Sequence, residues 1–101
     1  MSAALQKPKF VFGGNPREHR ALLALLVRPQ PREHIDRTAG CSNGPALVAD
    51  LRARGLDLPC SRAVCIDRDG REVRRGVYHL TVADRRRVYR AFRAFAERGG
   101  R

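Results

Sequence analysis

Apolar positions recur at helical spacing through the first half of this chain, at strand spacing from about residue 61, and at helical spacing again after residue 81. Leu22, Leu23, Leu25, Leu26 and Val27 form a wide apolar face that predicts a helix over 16–27, with Asn15 as cap and Pro16 in the first turn. Arg28-Pro29-Gln30-Pro31 must stop it, because proline removes a backbone donor and clashes with the preceding turn. A second short helix restarts at Pro31 or Arg32, turns Ile35 and Ala39 inward, and ends at Gly40. After Cys41, Ser42 or Asn43 can cap a third helix that buries Leu47, Val48 and Leu51 and stops at Gly55.

The period then shortens. Ala63, Val64, Cys65 and Ile66 have strand character, Asp67-Arg68-Asp69-Gly70 is a strong turn, and a second strand falls within Val73 to Leu80, which together predict a β-hairpin. Thr81-Val82-Ala83-Asp84 resembles a capping box with Asp in place of the usual Glu. It opens a fourth helix on which Val88, Phe92 and Phe95 share one face and Arg85, Arg86, Arg90 and Arg93 the other. The predicted fold class is therefore α+β, mainly α with a small β-hairpin, in the order α-α-α-β-β-α. Residues 1–15 read as a flexible arm anchored at Phe10, Val11 and Phe12, residues 16–98 as one domain, and residues 99–101 as a disordered tail.

Charge adds a partner to this picture. The 101 residues carry a formal charge of +11, and 43% hydrophobic content is too high for a disordered chain, so the charge decorates a folded domain. The balance is +3 over residues 1–50 and +8 over 51–101, and 19 of the 21 cations are arginines, whose planar forks grip phosphates. A polyanion is the natural partner, with nucleic acid first; the competing explanation is arginine-rich coding in a GC-rich genome, with the charge serving solubility alone. No stretch approaches the length of a membrane span, and the N-terminus lacks the apolar run of a signal peptide, so a cytoplasmic, nucleoid-associated location is expected.

Other chemistry is weakly represented. Cys41, Cys60 and Cys65 are an odd set, which suits a reducing compartment; zinc would want tight ligand pairs, whereas His19, His34 and His79 are scattered singly. Small buried hydrophobes are the expected role for the cysteines, with a redox role for Cys41 left open. No phosphate loop, dinucleotide fingerprint or nucleophile with a partner base is present, so neither enzymatic activity nor a cofactor is expected.

Three helices, a hairpin and a closing helix follow the order of a winged helix-turn-helix domain. The stretches "ALLALLVRPQPREHIDRTAGCSNGPALVADLRARGLDLPC", "CIDRDGREVRRGVYHLT" and "ADRRRVYRAF" resemble the small winged helix-turn-helix proteins of bacterial phages and prophages, over roughly 70 of the 101 residues. This resemblance implies sequence-specific binding of double-stranded DNA and a role in regulating transcription. It implies a recognition helix over about 43–54 in the major groove and a wing over about 61–80 on the backbone or minor groove. A module that binds protein within a phage or nucleoprotein assembly is the alternative.

On this reading Ser42, Asn43 and Ala46 are placed to meet base edges, though Ser42 or Asn43 can equally serve only as the cap. Arg68, Arg71, Arg74 and Arg75 flank the wing, and Arg32 and Arg37 on the second helix can hold the backbone. Asp50 should pair with Arg54 one turn on. The arginines of the fourth helix are either DNA contacts or its wet side, and that helix or the N-terminal arm is the expected surface of a homodimer.

Overall fold

The computed structural model describes residues 8–40 and 44–100. Within them lie four helices and a three-stranded antiparallel sheet, an α+β architecture: α1 (Pro16–Val27), β1 (Gln30–Pro31), α2 (Arg32–Ala39), α3 (Gly44–Ala53), β2 (Cys60–Ile66), β3 (Glu72–Tyr78) and α4 (Val82–Glu97).

α1 and α4 start where side chains satisfy their free amides. The Asn15 side chain accepts from Arg17 N and Glu18 N, and Thr81 and Asp84 close a reciprocal capping box on α4. α2 ends on Gly40, whose φ of 72° suits a residue without Cβ. α3 begins at Gly44; its expected caps, Ser42 and Asn43, lie outside the described residues, as does Cys41.

The expected two-stranded hairpin is corrected by a third strand. Pro29 stops α1 as predicted, but Gln30 and Pro31 then pair with Tyr78 and Val77, making β3 the central strand in the order β1-β3-β2. The proline-flanked segment suits an edge, where a missing amide leaves no ladder bond unmade. Gln30 is buried and its side-chain amide donates to Ala24 O and Arg28 O at 3.0 and 3.2 Å, satisfying carbonyls at the end of α1.

The core gathers Leu22 and Leu25 of α1, Ile35 of α2, Val48 and Leu51 of α3, Tyr78 of β3 and Val88 of α4, all nearly inaccessible to solvent. Phe10 and Phe12, in the segment read as an arm, also join it at 3% exposure. This segment crosses the end of α3 so closely that a Cβ on Gly55 would collide with Pro8 O.

Two polar clusters fasten these layers. Asp84, fully buried, accepts from Asp57 N and Leu58 N at 2.8 Å and from Arg87 at 3.0 Å, besides its part in the capping box. Leu58 thereby holds a φ of 41°, a left-handed conformation rare for a side chain of its size. Arg54 bridges Glu18 and Asp50, each at 2.7 Å, donates to Val11 O, and lies over the Phe10 ring. The Asp50–Arg54 pair matches the sequence expectation; its extension to Glu18 on α1 was not foreseen.

Candidate nucleic-acid interface

Alternation along a strand sorts the hairpin into two faces. From the register, Cys60, Arg62, Val64 and Ile66 share a face with Tyr78, Gly76, Arg74 and Glu72, while Ser61, Ala63 and Cys65 share the other with Val77, Arg75 and Val73. The first face reaches the core at Tyr78 and becomes exposed toward the turn.

Gly76 occupies the centre of that face, directly opposite Arg62. The side chain of Arg32, from the first turn of α2, lies across it: a Cβ at position 76 would stand 2.5 Å from Arg32 Cδ and 3.2 Å from Cys60 Sγ. A missing side chain on β3 thus lets α2 rest its first arginine on the sheet. Arg74 is the diagonal neighbour of Arg62 on the same face, within reach for long side chains. Arg32, Arg62 and Arg74 are all exposed, and among the described residues none of their guanidinium groups has a carboxylate partner. Three cations against the single carboxylate of Glu72 on that face leave a net positive field that attracts anions.

The remaining expected contacts divide. Arg68 and Arg71 stand exposed at the hairpin tip, where Asp67 Oδ1 accepts from Asp69 N and Arg71 N at 2.9 Å and shapes the turn. Arg75 belongs to the opposite face and pairs with Glu33 of α2 at 3.0 Å, so its charge is already partly answered. Arg37 is exposed in the last turn of α2. On α4, Arg85 donates to Leu26 O at 2.8 Å and Arg87 to Asp84, which ties both to the fold, whereas Arg86, Arg90 and Arg93 face solvent.

The corner between α2 and α3 is built around Asp36, whose carboxylate accepts the Gly44 amide. A Cβ at Gly44 would collide with that carboxylate and press on Ile35 Cγ2, so close approach of the two helices requires glycine here. The negative charge favoured at a helix N-terminus is supplied from within the chain. The positive field on this side of the molecule therefore comes from the arginines rather than from the Gly44 amide. Ala46 is exposed on α3 beside Pro45, Ala49, Asp50 and Ala53, a surface of small side chains that permits close approach. Ser42 and Asn43 precede it outside the described residues.

Arg62 escaped the sequence reading. Its signal was the alternation Arg62, Val64, Ile66, which places it on one strand face, but only the register against β3 reveals that this face also holds Arg74 and meets Arg32. Cys60 and Cys65 fall on opposite faces of β2, so they cannot ligate a common ion; both are free thiols. No helix among the described residues is long and apolar enough to cross a membrane. Compared with known proteins, the chain matches no family model, no curated protein and no solved structure.

Proposed function

We propose that this chain binds double-stranded DNA in the manner of a winged helix-turn-helix domain and acts as a small transcriptional regulator. The observation that carries the reading is the convergence of Arg32, Arg62 and Arg74 on one exposed face, where α2 meets the hairpin and, among the described residues, none of them is in an ion pair. In this reading α3 enters the major groove, with Ser42, Asn43 and Ala46 nearest the bases. Arg32, Arg62 and Arg74 hold the phosphates alongside, and Arg37, Arg68 and Arg71 extend the contact toward the end of α2 and the hairpin tip. Arg75 contributes less, because leaving Glu33 costs it an ion pair.

Fluorescence anisotropy with a labelled duplex tests this. With about 6 to 10 phosphate contacts, affinity falls by roughly three to five orders of magnitude between about 50 and 200 mM salt. A salt-insensitive complex, or none with any duplex, overturns the reading. Selection of bound duplexes from a random pool then defines the site, and a two-fold symmetric consensus identifies a dimer.

One observation favours a second reading, a protein-binding module: the outer surface of α3 presents Pro45, Ala46, Ala49 and Ala53, small side chains that let a partner approach closely. Replacing Ser42 and Asn43 together with alanine separates the two. DNA selectivity relaxes under the first reading and partner binding is unchanged under the second.

A further inference from the structure

Away from the arginine face, α1 and α4 border an apolar strip that the DNA reading does not use. The two helices run antiparallel, since the His19 and Phe92 rings meet at 5.3 Å toward one end and Arg85 reaches Leu26 O toward the other. Leu23 and Tyr89 fall between those contacts, at 45% and 57% exposure, and Val27 continues the line at 74%. At the His19 end the strip opens into a cavity of about 400 Å³ lined by Phe12, Pro16, His19, Phe92 and Phe95. Phe12 stands edge-on to both Phe92 and Phe95 at 5.0 Å, so the walls are held by ring contacts. Exposed apolar side chains on two adjoining helices, beside an aromatic recess, are characteristic of a surface that receives a partner.

Charge identifies the partner. Arg86 and Arg93 are three and four residues from Tyr89, hence its neighbours on the surface of α4, and both are exposed without a carboxylate among the described residues. Glu97, one turn past Arg93, is within reach of only one of the two arginines, and the acid of α1, Glu18, is buried against Arg54. A second copy of this +11 chain would add like charge to the contact. We infer that the groove between α1 and α4 receives an acidic amphipathic helix of another protein, with one aromatic or aliphatic side chain anchored among Phe12, Phe92 and Phe95 and its carboxylates set against Arg86 and Arg93. From Arg85 to Phe95 the groove runs about 15 Å, the length of a helix of about three turns.

The test is independent of DNA binding. A labelled synthetic helix of about 14 residues, with Leu and Phe at i, i+3, i+4 and i+7 and Glu on its outer positions, is titrated against the whole chain while amide shifts are followed by NMR. Shifts confined to α1, α4 and the segment around Phe12 are expected. The uncharged double substitution Leu23→Ser with Tyr89→Ser should weaken the peptide about tenfold or more, as loss of exposed anchor contacts does, while leaving duplex affinity unchanged. Val27→Ser, at a still more exposed position, gives the same direction should the double variant unfold. Unchanged peptide affinity in these variants, or shifts spread over the hairpin arginines, overturns the inference. So does a dimer, seen by sedimentation, that the double substitution abolishes, because the groove's occupant is then a second copy.

Discussion

At the scale of single residues, Asp84 and Arg54 show how a small core tolerates buried charge. Asp84 has no solvent contact, yet its oxygens meet backbone amides from the loop after α3, the cap of its own helix, and Arg87. Asp84→Ala strips partners from Asp57 N, Leu58 N and Thr81 N and releases Leu58 from its left-handed conformation. With buried amides left unsatisfied at about 1–3 kcal/mol each, we expect a loss of about 3 kcal/mol or more in urea unfolding, and a smaller one for Asp84→Asn. The cluster around Arg54 behaves differently because Arg54 is partly exposed while Glu18 is not. Arg54→Met should cost about 3 kcal/mol, mostly from stranding the Glu18 carboxylate, and adding Glu18→Gln should recover part of it. The hydrogen bond that Arg54 donates to Glu18, opposed by burial and aided by Asp50, raises the Arg54 pKa further above the ordinary arginine range. A group raised in the folded state stabilises it fully below the unfolded pKa, and that stability is lost only as pH rises through the folded value. Stability measured across the neutral and mildly alkaline range should therefore carry no step from Arg54.

At the scale of elements, the helices were legible and the sheet was only half so. The starts at Asn15 and Thr81 and the stops at Gly40 and Gly55 depend on neighbours a few residues away, and the structure places them as expected. β1 was illegible because two residues, one of them a proline, have no period; they become a strand only when Tyr78 and Val77 lie alongside. Arg62 was missed for the same reason, since its company on the sheet is set by register. The hairpin makes a testable contrast with α4. Arg62→Ala and Arg74→Ala should each lower the salt slope of duplex binding by about one and shift stability by no more than about 0.5 kcal/mol. Arg85→Ala should leave the slope unchanged and cost about 1 kcal/mol, because its guanidinium serves Leu26 O at the end of α1.

At the scale of the whole molecule, opposite ends of α2 do different work. Its N-terminus lays Arg32 on the sheet, its C-terminal half holds α3 through Asp36, and the arginine face lies where these elements meet. The domain is completed by the segment before α1, whose Phe10 and Phe12 are buried in the core. Phe12→Ala should cost about 3–5 kcal/mol and open the aromatic recess together with the core, visible as a lower melting temperature. Gly44→Ala should separate α2 from α3, reducing duplex affinity and stability together, whereas Arg62→Ala affects affinity alone.

What the chain alone determined is what depends on nearby residues: the four helices, the caps at Asn15 and Thr81, the stops at Gly40 and Gly55, the hairpin turn at Asp67 to Gly70, the Asp50–Arg54 pair and the excess of arginine. Tertiary structure decided what depends on which distant residues meet. It recruited Gln30 and Pro31 into the sheet, set Glu18 against Arg54, placed a carboxylate rather than free amides at the start of α3, and gathered Arg32, Arg62 and Arg74 around Gly76. The physical reason is range: capping and turn formation act over three or four positions, whereas strand register and charge compensation depend on contacts that exist only once the chain has closed on itself.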